Sequence, residues 1–454
     1  MADGVRFGAT RLIAAVAAIW MLFVAGVYLP DIGRGFVKDD FSWIERGRAG
    51  LSEPGTLVLP TLPGFYRPVV GASFGINYWL RGLDARSYGY TNLLLYAACA
   101  VAMVRLFRAL GVGAAAAVIG VFAWAINPHG INMAVVWISG RTSLLLTLFA
   151  VLSATAFVRG RRMTGTLLLF AALLSKEEAV MLPAILAALL ATRGPERRAA
   201  LGGDLAAMAL TLAAYFALRV QTPAFTPFDA PSFYRFTTDP RLLVANVLEY
   251  LDRGATIFAV VLLLAALACR VRPALDERER RLAGAAAIWF VGGYALTVLI
   301  PVRSSLYAVF PSVGTALVTA LVVDGLRRAA PGQATDRRVA AVLAIVLLFI
   351  PIYRIRNGPW VEPARVSTRT MNVVAGDLAG LPDHGVIVLS DEATAPSNFR
   401  SAFGGLATDA VRLYTGRPFD ALVVWHPPGD TSRDAPGDVV ARYQLTHGAV
   451  IRVE

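Results

Sequence analysis

The chain has 454 residues, of which 56% are hydrophobic and only 16% are charged, and its formal net charge is +12. That balance is far from the average of soluble domains, and basic residues clustered in short loops indicate contact with lipid headgroups rather than nucleic acid. The two cysteines, Cys99 and Cys269, lie within and at the end of apolar runs, so a disulfide framework is not indicated.

Apolar runs of about twenty residues recur along most of the chain, which is the length that a helix needs to cross a bilayer. Lipid offers backbone groups no water to bond, so these runs should be helices. We therefore predict an all-α polytopic membrane protein with about eleven transmembrane helices. The spans are predicted near 9–29, 89–110, 113–127, 134–157, 164–175, 178–192, 199–219, 247–268, 282–301, 306–325 and 338–353.

Arginine predicts the orientation of these spans. Arginine clusters fall in alternate connections, on the same side as Arg6 and Arg11, and the positive-inside rule makes that side cytoplasmic. The clusters are Arg105 with Arg108, Arg159–Arg162, Arg193–Arg198, Arg270–Arg281 and Arg327–Arg338. The sequence therefore predicts a multi-pass protein of the plasma (bacterial inner) membrane, with a cytoplasmic N-terminus and an extracytoplasmic first loop at 30–88.

From about Trp360 the composition changes to that of a soluble domain. Helical patterns at 367–380 and 398–414 alternate with apolar strands at 386–389, 421–425 and 449–453. We predict two parts, a transmembrane domain at 1–355 and a small extracytoplasmic α/β domain at 356–454.

Only two of the 43 basic residues are lysine, and each precedes a pair of carboxylates on the predicted extracytoplasmic face. Lys38 precedes Asp39 and Asp40, and Lys176 precedes Glu177 and Glu178. An ammonium is a compact point charge suited to one phosphate oxygen, which favours a functional site. The alternative is chance, because carboxylates often have cationic neighbours.

An aspartate just outside the first span can act as a general base on a hydroxyl, and its alternative is a solvated or helix-capping carboxylate. Lys176 could neutralise a lipid phosphate while Glu177 orients it, or it could extend to the interface as an anchor. Arg141 and Arg303 lie on the same predicted face and could be anchors or complete a cationic phosphate pocket. A divalent metal is possible, but no cluster of ligands has the spacing that supports one.

Several short motifs, in order, resemble the GT-C superfamily of membrane glycosyltransferases, and the pattern is most similar to tetratricopeptide-bearing O-mannosyltransferases and their bacterial relatives. The resemblance covers roughly 1–325. The motifs are Asp39-Asp40, Tyr66-Arg67-Pro68 with Ser73-Phe74 and Asn77, Tyr90-Thr91-Asn92-Leu93-Leu94, Asn127-Pro128, Val136-Trp137-Ile138-Ser139-Gly140-Arg141, Leu174-Ser175-Lys176-Glu177, and Leu306-Tyr307 with Pro311-Ser312-Val313-Gly314.

The resemblance implies a glycosyltransferase that moves a sugar from a polyprenyl-phosphate donor to an acceptor hydroxyl on a protein, lipid or glycan, with inversion at the anomeric carbon. It implies Asp40 as the catalytic base, with Asp39 as the second choice. The donor-phosphate ligands would be Lys176, Arg303 and Arg141. The supporting residues would be Glu177, Tyr66, Arg67, Asn92 and Tyr307.

The chain departs from the family pattern at Asn127, Asn132 and Ser143, where a histidine, a glutamate and an aspartate are usual, and it lacks the tetratricopeptide repeats. These departures leave two alternatives open. One is a transporter or flippase of lipid-linked glycans, which would favour broken helices in matching halves of the chain. The other is a catalytically inactive GT-C-like assembly protein.

Overall fold

A computed structural model of the protein describes residues 2–195, 199–391, 397–425, 438–446 and 448–453, with residues 2–8 described for the backbone only. Arg197 and Arg198 of the third arginine cluster lie outside this range. The first helices are α1 (Ala2–Val27), α2 (Asp40–Ser52), α3 (Gly55–Val58), α4 (Pro68–Arg81), α5 (Ala85–Ala109), α6 (Ala114–Ala125), α7 (Gly130–Val136), α8 (Arg141–Val158), α9 (Arg162–Leu173) and α10 (Leu182–Ala191). They are followed by α11 (Leu201–Arg219), α12 (Pro240–Cys269), α13 (Glu277–Tyr294), α14 (Ser312–Ala329), α15 (Gln333–Ala344), α16 (Ile350–Gly376), α17 (Phe399–Phe403) and α18 (Ala407–Thr415).

Each predicted span overlaps a helix, but fewer of these helices are long enough to cross a membrane alone. Within the described residues, seven stretches are long and apolar enough, or eight if α6 and α7, bent by 69°, form one broken span. The number differs from eleven because α9 has only 12 residues and α10 only 10, and because the 18 residues of α14 include Asp324, Arg327 and Arg328. The polytopic all-α class is as predicted.

The helices pack through small residues and leave apolar side chains on the outside of the bundle. A Cβ added at Gly120 of α6 would lie 2.5 Å from the carbonyl oxygen of Ala316 on α14, so the two backbones nearly touch. Leu94 and Leu263 are 70% and 61% exposed. Close backbone contact through glycine and alanine, with leucine facing outward, is the pattern expected of helices that associate in lipid.

The C-terminal part contains a four-stranded sheet of β1 (Gly385–Asp391), β2 (Phe419–Trp425), β3 (Val439–Thr446) and β4 (Ala449–Arg452). The strand order is β2-β1-β3-β4, with β1 parallel to β2 and β3, and β4 antiparallel to β3. The predicted α/β character is present, and β3 is a strand that the sequence pattern missed.

The C-terminal part packs directly on the first loop. The backbone N–H of Lys38 donates to the carbonyl of Ala402, 2.8 Å away, and the ring of Phe41 lies 5.7 Å from that of Phe403. Helix α16 runs without interruption through the predicted boundary at residue 355. The segment that carries both candidate aspartates is therefore held between the transmembrane helices and the α/β part.

Four connecting segments converge on one face of the bundle, which we call the loop face: residues 30–84, 174–181, 220–239 and 300–311. Backbone hydrogen bonds join them, from Val69 to Leu174 (3.2 Å), from Phe225 to Gly64 (2.9 Å) and from Val302 to Phe233 (3.1 Å). This face is the one predicted to be extracytoplasmic.

Candidate active site

Asp40, the first-choice base, is fully buried at the start of α2. One carboxylate oxygen accepts from the backbone N–H of Val37 (2.9 Å), and the other accepts from the backbone N–H of Ser139 (2.7 Å) and from the Ser139 hydroxyl. Desolvation raises the pKa of Asp40 to about 6, although these hydrogen bonds and Arg34 oppose the rise. Asp40 ties the first loop to the segment before α8.

Arg141 and Asn92 form a second buried connection behind Asp40. The Arg141 side chain donates to Asn92 Oδ1 (3.1 Å), to the carbonyl and hydroxyl of Ser73 (3.2 and 3.1 Å) and to the carbonyl of Tyr88 (3.3 Å). Asn92 Nδ2 in turn donates to carbonyls of the segment before α8, at 3.0 to 3.1 Å. Both side chains are fully buried, so Arg141 acts as a scaffold for the motif rather than as an exposed phosphate ligand.

Asp39 differs from its neighbour because its carboxylate is partly exposed and makes no hydrogen bond to another residue within the described part of the chain. It precedes α2 but does not cap it, which removes the helix-capping alternative. Burial raises the pKa of Asp39, while the positive charges of Arg67 and Lys38 lower it. An unbonded carboxylate beside cations can accept a proton from a hydroxyl that approaches it.

Lys38 has a left-handed backbone conformation, with φ of +51°. Non-glycine residues rarely adopt this region, and where they do, surrounding contacts hold them there. The contacts here are the bond to Ala402 and the ring of Trp360, whose centroid is 5.3 Å from Nζ. Lys38 thus turns the chain so that the two following aspartates point to different environments.

Lys176 lies between α9 and α10 with only 3% of its surface exposed. Its ammonium contacts Glu178 Oε1 (2.7 Å), donates to Ser143 Oγ (2.9 Å) and lies 4.9 Å from the centre of the Tyr307 ring. Burial lowers the pKa of Lys176, and the charge of Glu178 opposes this. Ser143, where the family pattern has an aspartate, is therefore a direct partner of the lysine.

Arg67 and Glu177 form a bidentate pair next to Lys176. Arg67 Nη2 and Nε lie 2.7 and 3.1 Å from Glu177 Oε2, and Nε is 3.2 Å from Oε1. Arg219, at the end of α11, lies 3.9 Å from the same carboxylate. The Arg67 charge holds the pKa of Glu177 below its usual value despite burial. The three cations Lys176, Arg67 and Arg219 thus form one cluster.

Aromatic residues line this cluster. Arg67 lies over the ring of Phe65 at 4.1 Å, and Tyr234 meets the same ring edge-on at 5.1 Å. Tyr66 is fully buried, and its hydroxyl has no hydrogen-bond partner among the described residues. Its ring lies 6.0 Å from that of Tyr215, whose hydroxyl accepts from Arg219 at 3.1 Å.

Arg303, predicted as a donor-phosphate ligand, lies on the loop face but pairs with Glu249 of α12 at 2.8 Å. The same carboxylate also binds Arg253. The predicted departures Asn127 and Asn132 are structural: Asn127 Nδ2 donates to the carbonyl of Arg253 (2.9 Å), and Asn132 Nδ2 donates to Asn357 Oδ1 (3.1 Å).

Three residues of this region escaped the sequence analysis: Arg46, Arg219 and Tyr234. Arg46 donates to the carbonyl of Phe65 at 2.8 Å, and burial together with the charge of Arg67 lowers its pKa. Arg219 could have been found from the sequence, because it ends a predicted span on the extracytoplasmic face, where the positive-inside rule predicts few arginines.

An apolar groove of about 420 Å³ opens between α10 and α13, with lining residues that include Met181, Ile185, Ile288 and Val291. Met181 ends the short helix that begins at Glu177, so one end of the groove lies near the cationic cluster. Among the described residues, no group of three or more His, Cys, Asp or Glu side chains is arranged to hold a metal ion.

No protein-family model matches the chain, and a comparison with curated proteins finds no match. Among solved structures, the chain is similar to ArnT from Cupriavidus metallidurans, whose crystal structure is bound to undecaprenyl phosphate. The two share 14% identity over 95% of this chain and 90% of that chain, with a TM-score of 0.56. The chain therefore shares its overall fold with ArnT, and the predicted polytopic membrane architecture is confirmed.

Proposed function

We propose that this protein is an integral membrane glycosyltransferase that transfers a sugar from a polyprenyl-phosphate donor to an acceptor hydroxyl. The observation that carries the proposal is the carboxylate of Asp39, which accepts no hydrogen bond from another residue among those described and lies within electrostatic range of Arg67, one of the three clustered cations. A fold shared with a protein that binds undecaprenyl phosphate, and an apolar groove with one end near the cluster, support the lipid-linked donor.

We assign the base to Asp39 rather than to Asp40. A general base must come within about 3 Å of the acceptor hydroxyl, and Asp40 is fully buried with three hydrogen bonds already accepted. Asp39 would take the proton of the hydroxyl as its oxygen forms a bond to the anomeric carbon. The bond from that carbon to the phosphate oxygen breaks at the same time, with inversion.

We assign the departing phosphate to Lys176, Arg67 and Arg219. The broken bond leaves its electron pair on the phosphate, and guanidinium and ammonium groups stabilise the added negative charge. Glu177 holds the two arginines in place, and the Tyr307 ring holds the lysine. Arg303, which pairs with Glu249 of α12, is left out of this assignment.

The transporter alternative receives less support from the fold. A transporter of this kind favours discontinuous helices in matching halves of the chain, with substrate near mid-membrane. Among the described residues one pair, α6 with α7, is bent at a break. The cationic cluster, by contrast, lies in the connections of the loop face.

The experiment measures transfer of labelled sugar from polyprenyl-phosphate donors in membranes that contain the full-length protein, together with undecaprenyl phosphate binding to the purified protein. Asp39→Asn should lower transfer by about 100-fold or more and leave binding unchanged, because it removes only the base. Lys176→Ala should weaken binding. Asp383→Asn is the matched control, because that side chain is 92% exposed in the C-terminal part.

Two results would contradict the proposal separately. If Asp39→Asn still transfers sugar, Asp39 is not the catalytic base. If undecaprenyl phosphate binds neither the wild type nor any variant, the assignment of the lipid-phosphate site is wrong, and so is the glycosyltransferase assignment.

A further inference from the structure

A second cationic cavity lies apart from the Lys176 cluster. It has a volume of about 420 Å³ and lies between the end of α1, the start of α5 and the middle of α16. Four arginines line it, Arg34, Arg86, Arg365 and Arg369, against one carboxylate, Asp31. We call it the arginine cavity. Residues from three distant segments thus bring an excess of positive charge to one cavity.

The protein balances the charges of the arginine cavity only in part: Arg365 pairs with Glu362 at 2.7 Å, whereas among the described residues no carboxylate forms an ion pair with Arg34, Arg86 or Arg369. Arg86 makes no side-chain hydrogen bond or ion pair among the described residues, and Arg369 donates to a backbone carbonyl at 2.8 Å. Arg34 is only 8% exposed and donates to two carbonyls, at 3.2 and 3.5 Å. Asp31 lies 3.5 Å from Arg365 and 3.7 Å from Arg354, so it is already shared.

Burying a guanidinium without a carboxylate partner is unfavourable, because the charged group loses its hydration. Arg34 shows this cost, since desolvation lowers its pKa to about 10. A bound anion would offset this desolvation cost, because guanidinium groups match the oxygens of a phosphate and form short, charge-assisted hydrogen bonds with them. Tyr90 also lines the cavity and carries a neutral hydroxyl donor, whereas the Thr368 hydroxyl donates to the carbonyl of Ala364 (2.8 Å).

The cavity opens where a lipid could reach it. Leu29, just beyond the end of α1, is 42% exposed, and Tyr90, near the start of α5, is 50% exposed. One turn further along α5, Leu94 is 70% exposed on the outside of the bundle. These residues mark the boundary between the apolar surface and the loop face.

We propose that the arginine cavity binds a phosphate-bearing anion, supplied as the headgroup of a membrane lipid. The proposal does not depend on the glycosyltransferase assignment, because it uses none of the residues that contact Asp39 or Lys176. Free phosphate offers the same chemistry as a lipid headgroup, so the experiment separates the two sources.

The test uses the purified full-length protein and two probes, dioctanoyl phosphatidic acid and inorganic phosphate, with binding followed by thermophoresis. The double variant Arg86→Ala/Arg369→Ala removes two exposed guanidiniums that bind no carboxylate, so the fold should persist. The matched control is Arg81→Ala/Arg241→Ala, which removes two exposed arginines outside the cavity. Lys176→Ala reports on the other cationic cluster.

We expect phosphatidic acid to bind the wild type and the control alike and to bind the double variant at least about tenfold more weakly, with the same difference between control and double variant when Lys176→Ala is added to both. If inorganic phosphate binds the wild type as tightly as phosphatidic acid does and binds the double variant more weakly to the same extent, the cavity binds an anion, but the anion is soluble rather than a lipid headgroup. Equal binding to the double variant and the wild type would overturn the proposal. An equal loss in the control and the double variant would also overturn it, since only general surface charge would then be at work.

Discussion

Replacing Asp40 by alanine should destabilise the fold, and the size of the loss should depend on pH. The substitution leaves the buried N–H groups of Val37 and Ser139 without an acceptor. Each unpaired buried donor costs about 1–3 kcal/mol, so the two together cost roughly 2–6 kcal/mol. The Ser139 hydroxyl can rotate toward another acceptor and adds little.

Burial of the charged Asp40 carboxylate destabilises the fold, whereas the hydrogen bonds that it accepts stabilise the fold. The pKa of Asp40 rises from 3.8 to about 6 in the fold, so the folded state holds its proton more tightly than the unfolded state. The stabilisation that comes from this group is complete below about pH 4 and is lost as pH rises through 6. By linkage, the wild type loses roughly 1.4 kcal/mol of this term between pH 5 and pH 8.

The assay compares thermal unfolding of the wild type and Asp40→Ala in detergent at pH 5 and pH 8. We expect a lower midpoint for the variant at both values, with the larger difference at pH 5. Asp39→Ala is the control, because it removes the adjacent, partly exposed carboxylate that makes no side-chain hydrogen bond. A variant as stable as the wild type, or a larger difference at pH 8, would refute the reasoning.

Three further predictions follow from close contacts on the loop face and in the bundle. Gly47→Ala should lower the unfolding free energy by about 1–3 kcal/mol, because the added Cβ would clash with a backbone nitrogen of α4. Gly55→Ala is the control and should be neutral, because its added Cβ would have no atom within 4 Å. Arg141→Lys should lower the unfolding midpoint, since an ammonium cannot span the four acceptors of the guanidinium; an unchanged midpoint would argue against the scaffold role. Ser143→Ala should weaken undecaprenyl phosphate binding a few-fold, by about 1 kcal/mol, and less than Lys176→Ala does, because it removes only one bond that orients the ammonium. Equal losses in those two variants, measured by titration, would show that the hydroxyl does more than orient the lysine.

Much of the architecture could be predicted from the sequence, because its causes are local. Long apolar runs must be helical in lipid whatever they pack against, so the polytopic class followed from hydropathy alone. The alternation of helices and apolar strands likewise indicated the α/β part. The pairs Lys38 with Asp39-Asp40 and Lys176 with Glu177-Glu178 marked segments that the fold brings to one face.

The roles of individual side chains depended on contacts that no local pattern contains. Asp39 and Asp40 are neighbours with the same chemistry, and only the packing of the first loop against Ser139 and α17 buries one and leaves the other open. Arg67 meets Glu177 across 110 residues, while Arg303 finds Glu249 instead. The helix ends that meet in three dimensions decide which charged side chains pair. Hydropathy is read from one segment at a time, so it predicted the helices. Only tertiary packing decided which residues form the site.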